Sequence, residues 1–214
     1  MSDFSPDRDA AEVDRLAAAL HQPMDRSARE QLSAYVALVA TWNRKLNLTG
    51  ADTPQALVEV LLGDALVLAA REFAPEGAHV IDVGSGAGAP IIPLLLLRPD
   101  LRALAVEPRA KRATFIRTAS ARLGLVPRMR VLEARIDPGD PAHGLGAFDL
   151  ACSRATFEPE RWLAIGLGLA PRVLVMLGSA AAPPMPHGAR LAATRAYTLP
   201  FSSAPRELAL YLRE

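Results

Sequence analysis

The stretch that determines the fold reads Val80-Ile81-Asp82-Val83-Gly84-Ser85-Gly86-Ala87-Gly88. An apolar segment that contains one acid runs directly into three closely spaced glycines. Because glycine has no Cβ, its backbone can adopt positive φ and let a ligand approach closely. Pro90 and Pro93 follow, which suits the first turn of a helix. The stretch therefore predicts a strand, a ligand-binding turn and a helix, the unit from which parallel α/β sheets are built.

Asp82 bears on which ligand this turn would hold. Similar turns bind dinucleotides, and Gly84, Gly86 and Ala89 also fit the Gly-x-Gly-x-x-Ala spacing of that class. A carboxylate two residues before the first glycine would repel a pyrophosphate but attract a cationic amino acid moiety. S-adenosylmethionine (SAM) carries such a moiety. A SAM-dependent methyltransferase is the leading interpretation, and a dinucleotide oxidoreductase stays as a distant alternative.

A second acid supports this interpretation. The segment Leu101-Arg102-Ala103-Leu104-Ala105-Val106-Glu107 reads as another apolar strand closed by a carboxylate. Glu107 lies about 25 residues after Asp82, the distance at which an acid meets ribose hydroxyls in nucleotide-binding folds. Either acid alone could equally be a cap or a solvated strand end. Their joint spacing with the glycines favours a binding site.

Length and composition limit the classes of protein to which the chain could belong. The chain has 214 residues, 50% of them hydrophobic, which is enough for one buried α/β domain with an extension. Its single cysteine excludes an internal disulfide framework and suits a reducing compartment. The N-terminus has no apolar signal segment, and no apolar run reaches the length of a membrane span. We expect a cytoplasmic monomer without a metal ion or a membrane contact.

The net charge of +1 does not by itself suggest a nucleic-acid partner, but the charge is unevenly spread. Residues 98–130 contain nine basic side chains against two acidic ones, a patch that could attract RNA phosphates. The alternative is a solvated helix face in an arginine-rich chain. The nine are Arg98, Arg102, Arg109, Lys111, Arg112, Arg117, Arg122, Arg128 and Arg130.

Apolar periodicity predicts three helices before the glycine turn and an alternation of strands and helices after it. We expect an N-terminal helical extension over residues 1–76 and a SAM-binding domain over 77–214. The predicted fold is a doubly wound, Rossmann-like α/β fold with a mostly parallel seven-stranded sheet. Ligands in this architecture bind at the carboxyl ends of the strands, where Asp82, Glu107, Asp137 and Ser153 would cluster. The predicted helices are 7–20, 27–42, 54–73, 91–98, 109–123 and 159–169, and the strands are 78–83, 101–107, 129–134, 148–153, 173–177, 190–197 and 207–213.

Several further segments carry a family resemblance. Trp42-Asn43-Arg44-Lys45-Leu46-Asn47-Leu48-Thr49 looks like a Trp-Asn-x-x-x-Asn-Leu-Thr signature, and Glu107 is followed by Lys111-Arg112 and Phe115. Arg135 and Asp137 fall on an Arg-x-Glu pattern, and Ser153-Arg154-Ala155 matches Ser-Arg-Ala. Together with the glycine turn, they resemble the GidB/RsmG family, bacterial methyltransferases that modify N7 of a guanine in small-subunit ribosomal RNA.

The resemblance implies roles for individual residues. Lys45, Arg112 and Arg154 would orient the RNA or the cofactor and form the catalytic set. Asn43, Asn47 and Thr49 would line a lid over the site. The resemblance also implies a set of residues that bind SAM: Asp82, Gly84, Ser85, Gly86, Ala87 and Gly88 at the methionine end, Glu107 at the ribose, Arg135, Ile136 and Asp137 near the adenine, and Ser153.

The sequence departs from the family pattern near the acceptor side. Leu61 stands where the family usually has a histidine, and Leu177 where it has a lysine. Ala89 and Ile91 replace the Phe and Gly of the loop's Gly-Phe-Pro-Gly extension. The chain therefore reads as a diverged member. A small-molecule or protein acceptor, or a non-catalytic SAM-binding or ribosome-assembly module, remains an alternative.

The remaining reactive residues offer little competing chemistry. Guanine N7 has a free lone pair and loses no proton on methylation, which suits candidates that include no evident general base. Cys152, the only candidate nucleophile for methylation at pyrimidine C5, falls in an apolar strand end and reads as a small buried hydrophobe. Trp42 could stack on a base, although its helical spacing favours the core.

Overall fold

The computed structural model of the chain describes residues 6–142 and 144–214. Seven strands form one sheet: β1 (His79–Val83), β2 (Arg102–Val106), β3 (Met129–Leu132), β4 (Leu150–Ser153), β5 (Arg172–Leu177), β6 (Ala189–Thr198) and β7 (Pro205–Arg213). Their order across the sheet is β3-β2-β1-β4-β5-β7-β6. The first five strands pair in parallel, and β7 runs antiparallel between β5 and β6. The predicted mostly parallel α/β fold is confirmed.

The chain order of the strands locates the binding crevice. From β1 the chain builds outward through β2 to β3, then crosses back to place β4 on the other side of β1. In open parallel sheets, a ligand binds at the carboxyl ends of the strands where this reversal occurs. The glycine turn that follows β1 lies at this switch point.

In the described residues six helices cover the sheet: α1 (Pro6–Ala19), α2 (Arg26–Leu46), α3 (Pro54–Leu68), α4 (Ile91–Leu97), α5 (Ala110–Arg122) and α6 (Pro159–Leu169). The helices α2 and α3 pack against α4, and α6 packs against β4 and β5. One apolar cluster joins α1, α2 and α3 to one face of the sheet, and a second cluster lies under α6 on the other face. The N-terminal helices thus share a core with the sheet. The domain boundary after residue 76 stays a prediction.

Two helices, α2 and α3, end four or five residues away from the predicted position, whereas the other helix ends agree within one residue. The helix α2 continues one turn past residue 42, because Asn47 rather than Asn43 adopts the left-handed conformation (φ 47°) and donates its N–H to the Asn43 carbonyl. The helix α3 ends at Leu68 rather than at residue 73. There Nη1 of Arg98 binds the carbonyls of Ala69 and Ala74, both at 2.9 Å, and holds the following segment in a turn.

The basic segment does not lie wholly on the surface. Arg98 is buried and pairs with Asp100 at 2.7 Å. Arg128 donates to the carbonyls of Leu101 and Leu95 at 2.9 and 3.1 Å. Two of the nine basic side chains therefore hold loops together, whereas Arg112 is half-buried and the other six are exposed. Within residues 6–142 and 144–214, no helix is both long and apolar enough to cross a membrane.

Candidate active site

The three glycines after β1 all adopt positive φ: 79° at Gly84, 57° at Gly86 and 83° at Gly88. A Cβ at Gly84 would lie 2.1 Å from Thr156 Oγ1, and one at Gly88 would lie 2.4 Å from a methyl carbon of Ile92. At Gly86 the nearest atoms are 3.8 Å or more away. Packing thus excludes side chains at the outer two positions, whereas Gly86 presents bare backbone to the crevice.

Asp82 is the most unusual group in the crevice, because it is buried in β1 with one carboxylate oxygen unpaired. Its Oδ1 accepts the thiol hydrogen of Cys152 at 3.7 Å, but Oδ2 has no partner within the described residues. Burial raises the pKa of this carboxyl from 3.8 to about 7. A buried, unsatisfied acceptor is costly. A cationic donor such as the ammonium of SAM would satisfy it, so the group fits the predicted cofactor.

Glu107 ties the end of β2 to the glycine turn. Its Oε2 accepts the N–H of Gly86 at 2.9 Å, and its Oε1 accepts the N–H of Arg109 at the same distance. The side chain is buried and held in one orientation. Each oxygen keeps a second lone pair, so the carboxylate can still accept hydrogen bonds from ribose hydroxyls.

Ser153 ends β4, Arg154 follows it, and both lie on the opposite side of the crevice. The Ser153 hydroxyl donates to the Val83 carbonyl at 2.7 Å, one residue beyond Asp82. The guanidinium of Arg154 instead reaches α3, where Nη1 contacts the Val60 carbonyl and Oδ2 of Asp64. The structure therefore brings the predicted residues Asp82, Glu107 and Ser153 to one edge of the sheet around the glycine turn.

Among the other predicted residues, Arg112 lies beside the glycine turn, with Nη1 3.9 Å from the position that a Cβ would take at Gly86. Arg112 donates to the Asn47 carbonyl at 3.0 Å, and Lys45 is exposed in the last turn of α2. Beyond β3, Arg135 is exposed and Ile136 packs on the second core cluster. Asp137 accepts the N–H of Gly139 at 2.9 Å and so closes its own turn. In the described part of the chain, no hydrogen bond connects these last three residues with the glycine turn. Their role at the adenine stays a prediction.

Sequence reasoning gave no functional role to Tyr35, which lies within the predicted helix 27–42. Its buried hydroxyl donates to the Ala87 carbonyl at 2.9 Å and so joins α2 directly to the glycine turn. Burial raises the pKa of Tyr35, which keeps the hydroxyl protonated as a donor. A buried tyrosine needs a partner for its hydroxyl, which was the available signal, but the partner lies 52 residues away.

Next to the crevice lies a cavity of about 570 Å³, between α3, the segment after β4, the end of β5 and the β6–β7 hairpin. Its wall combines charged groups with apolar surface, as acceptor pockets commonly do. The side chains that matter most below are Glu59, Asp64, Arg154, Phe157, Met176, Leu177, Leu199 and Arg206.

Comparison of the sequence with known proteins identifies a family. Residues 28–177 match the family model of GidB, described as rRNA small subunit methyltransferase G. The chain belongs to the GidB family. A ribosomal RNA small subunit methyltransferase G of Anaeromyxobacter dehalogenans (strain 2CP-C) is 36% identical over 205 residues, which cover 92% of this chain and 94% of that protein. The counterpart in Myxococcus xanthus (strain DK1622) is 33% identical over 182 residues, or 81% and 82% of the two chains.

Solved structures agree with the fold of this GidB chain. The O-methyltransferase TomG from Streptomyces achromogenes, solved in complex with SAM, aligns with a TM-score of 0.57 at 16% identity and covers 98% of both chains. TrmN from Thermus thermophilus aligns with a TM-score of 0.53 at 21% identity over 74% of this chain and 48% of that one. The predicted family, the enzyme class and SAM as methyl donor are confirmed.

The GidB signature around Trp42 has a structural explanation. The Asn43 amide donates to the Thr49 carbonyl and accepts the Thr49 N–H, both at 2.9 Å, and so closes the loop after α2. The Trp42 ring packs against Phe115 with 5.6 Å between ring centroids. Both side chains are thereby engaged within the protein, which favours core packing over base stacking for Trp42.

The two departures from the GidB pattern occupy different places. Leu61 is buried within α3 and belongs to the apolar cluster beneath the sheet. Leu177 ends β5 and lines the cavity of about 570 Å³. The leucine at 177 therefore changes the wall of the cavity itself, whereas the leucine at 61 changes the packing behind it. Cys152 is fully buried and burial raises the pKa of its thiol, which argues against a nucleophilic role.

Proposed function

We propose that this GidB-family chain transfers the methyl group of SAM to N7 of a guanine in small-subunit ribosomal RNA. The observation that carries the proposal is the adjacency of two sites. The first is a cation-binding site at the unpaired oxygen of Asp82. The second is the cavity, which is lined by Arg154. Arg154 directly follows Ser153, whose hydroxyl binds the carbonyl of the residue after Asp82. An acceptor held in the cavity would thus lie next to a methyl donor held in the crevice.

The residues of the crevice suit SAM as follows. Asp82 would accept a hydrogen bond from the ammonium, Glu107 would accept from the ribose hydroxyls, and the bare backbone at Gly86 would lie against the methionine moiety. SAM, when bound, supplies an electrophilic methyl group. Because Oδ1 of Asp82 is already held by Cys152 and Glu107 by two backbone N–H groups, the site needs little rearrangement before binding.

Methyl transfer to N7 of guanine requires little acid-base catalysis from the protein. The nitrogen attacks with its lone pair and no proton leaves, so orientation is the main requirement. The charged groups of the cavity can orient a base by hydrogen bonds, and apolar Met176 and Leu177 exclude water beside them. The absence of a dedicated base among the site candidates is therefore consistent with this acceptor.

The charge distribution supports RNA as the partner. Lys45, Arg109 and Lys111 are exposed at the ends of α2 and α5 that border the crevice. None of the three forms an ion pair within the described residues. Such free cations can bind phosphates and release counterions. Ribosomal subunits as acceptor would place the protein in the cytoplasm; a monomeric state without a metal ion stays a prediction.

The test is a methylation assay on small ribosomal subunits that lack the modification. Purified protein and methyl-labelled SAM should label the ribosomal RNA, and borohydride reduction followed by aniline should cleave the labelled RNA at one guanine, because 7-methylguanine is susceptible to that treatment. The matched control is the Glu107→Ala variant, which removes the proposed ribose ligand. Measured SAM binding without any transfer to RNA, or transfer without aniline cleavage, would overturn the assignment to N7.

A second acceptor class is favoured by one observation, the apolar Leu177 in the cavity wall at a position where the family pattern has a lysine. A small-molecule or protein acceptor would then be methylated with a weak dependence on salt. The Leu177→Lys variant separates the two readings. Increased transfer to ribosomal RNA supports the RNA acceptor, and transfer that is confined to a protein or low-mass fraction supports the second class.

A further inference from the structure

Arg154 is held from outside its own loop. Its Nη1 contacts the Val60 carbonyl and lies 3.3 Å from Oδ2 of Asp64, both on α3. The Asp64 side chain is 9% exposed and that of Arg154 is 23% exposed, so solvent screens this pair less than it would a surface pair. All hydrogen bonds of the Arg154 side chain within the described residues use Nη1. Its Nε and Nη2 therefore keep their N–H groups for a ligand.

The other oxygen of Asp64 is bound by a residue from the far end of the chain. The hydroxyl of Tyr197, on β6, donates to Oδ1 of Asp64 at 2.6 Å across a separation of 133 residues. Burial raises the pKa of Tyr197, and the nearby Asp64 carboxylate raises it further. The hydroxyl consequently stays protonated and donates. Asp64 thus shares one carboxylate between a neutral donor and a cation.

The β6–β7 hairpin that presents Tyr197 is itself fixed against α3. Glu59 accepts the backbone N–H groups of Phe201 and Ser202 at 2.6 and 3.1 Å. At Gly63 there is no space for a side chain, because a Cβ would lie 2.6 Å from Leu199. These contacts lie two to five residues after Tyr197 along the hairpin, so packing against α3 determines the position of its hydroxyl.

We propose that Tyr197 and Asp64 are positioning residues for methyl transfer, which hold the Arg154 guanidinium so that its Nε and Nη2 face the bound substrates. The inference rests on the proposed function, because it assigns Arg154 to the transfer reaction. The fork geometry of a guanidinium delivers its donors only when the group is correctly oriented. A carboxylate with two fixed partners supplies that orientation, and no motif in the sequence marks Tyr197.

A double-mutant cycle between Tyr197 and Arg154 tests this arrangement. Single-turnover methyl-transfer rates, with enzyme in excess over small ribosomal subunits, would be measured for the wild type, Tyr197→Phe, Arg154→Ala and the double variant. Loss of a hydrogen bond to a charged group predicts a rate about tenfold lower for Tyr197→Phe. In the Arg154→Ala background the same change should lower the rate by less than about twofold, since the group to be positioned is gone.

Tyr211→Phe is the matched control, because Tyr211 is a buried tyrosine of the same hairpin whose hydroxyl has no hydrogen-bond partner among the described residues. It should keep the wild-type rate. Asp64→Asn should slow transfer at least as much as Tyr197→Phe, because it removes the charge that faces Arg154. Equal effects of Tyr197→Phe with and without Arg154 would identify a merely structural residue and overturn the proposal.

A second readout does not depend on the acceptor. The ¹⁵N resonance of Arg154 Nε, assigned by its loss in Arg154→Lys, should be a single sharp signal in the wild type and in Tyr211→Phe. It should broaden or move toward the averaged arginine position in Tyr197→Phe. An unchanged resonance overturns the positioning role. A wild type that binds SAM but does not methylate ribosomal subunits overturns the proposed function instead, while this spectrum still decides whether Tyr197 orders the guanidinium.

Discussion

Cys152 on β4 donates its thiol hydrogen to Oδ1 of Asp82 on β1, with 3.7 Å between sulfur and oxygen. Both residues are fully buried, and the other oxygen of Asp82 has no partner within the described residues. A thiol is a weak donor, so the pair does little to offset the cost of burying a negative charge. Asp82 is therefore a group whose ionised form destabilises the empty protein and is available to a cationic ligand.

We expect Asp82→Asn to separate stability from binding. The buried carboxyl has a pKa of about 7, so at pH 8 the substitution removes a buried negative charge. This should stabilise the empty protein by about 1–3 kcal/mol, because the amide N–H groups that lack a partner offset part of the gain. SAM affinity should fall by more than about tenfold. Urea unfolding and calorimetry measure the two effects. The exposed Asp52→Asn serves as the control, and an Asp82→Asn protein that binds SAM normally contradicts the cofactor role.

The affinity for SAM should depend on pH through Asp82. Its pKa in the folded protein, about 7, lies above the ordinary 3.8, chiefly through burial, while Ser85, Arg154 and the Cys152 thiol lower it and Glu107 raises it. Binding of the ammonium requires the ionised form. Affinity should therefore rise by up to about tenfold per pH unit below pH 7 and level off above it, with proton release in acidic buffer. Calorimetry between pH 5.5 and 7.5 in buffers of different ionisation enthalpy measures both quantities.

The same group predicts the pH dependence of stability. Because the pKa is higher in the folded than in the unfolded chain, the neutral carboxyl stabilises the fold fully below about pH 4. This contribution is lost as the pH rises toward 7. The free energy of unfolding of the wild type should thus decline over this window relative to that of Asp82→Asn. If urea unfolding gives the same difference in free energy of unfolding between the two proteins at every pH, this prediction is wrong.

Gly84→Ala should destroy the glycine turn for a steric reason. The new methyl group would lie 2.1 Å from Thr156 Oγ1 at a φ of 79°. We expect loss of SAM binding and a destabilisation of more than about 2 kcal/mol. Gly77→Ala is the matched control, because Gly77 has a φ of 70° but no atom within 4 Å of the added Cβ. It should cost about 1 kcal/mol and retain SAM binding. Equal losses in both variants would show that backbone strain alone, and not the contact, is responsible.

Asn43→Ala should loosen the loop after α2. Both polar groups of the Asn43 amide bind the backbone of Thr49 at 2.9 Å, so their loss should cost about 1–3 kcal/mol. Hydrogen exchange at the Thr49 amide should accelerate accordingly. Asn47→Gly is the control, because Asn47 caps α2 in the left-handed conformation, which glycine prefers. Its free energy of unfolding should stay within about 0.5 kcal/mol of the wild type. Unchanged exchange at Thr49 in Asn43→Ala would show that the loop is held by other contacts.

Much of the fold follows from patterns local in sequence. The alternation of apolar strands and helices predicted the five parallel strands, and the start of α3 has a local cause, since Thr53 accepts the Ala56 N–H at 3.1 Å just before Pro54. Helix ends were less predictable. The end of α2 depends on how Asn43 and Asn47 divide the roles of loop clamp and cap, and both residue types can serve either purpose.

The residues of the candidate site likewise include some that local sequence patterns could predict and some that they could not. The glycines, Asp82 and Glu107 could be recognised as one group because a turn after a strand needs positive φ and the spacing of the two acids with the glycines favours a binding site. Arg135 and Asp137 matched a pattern, but their distance from the crevice depends on the course of the loop beyond β3. Tyr35 could not be recognised, since an apolar helical face looks the same whether or not one hydroxyl reaches a distant carbonyl.

The sequence by itself determined the parallel sheet, the glycine turn and the family, because these depend on residues that are close together along the chain. Tertiary structure alone decided that Tyr197 meets Asp64, that Asp64 meets Arg154, and that Arg98 and Arg128 turn inward. Such pairs join segments tens to more than a hundred residues apart. Their geometry depends on how helices and the hairpin pack, which no local pattern encodes.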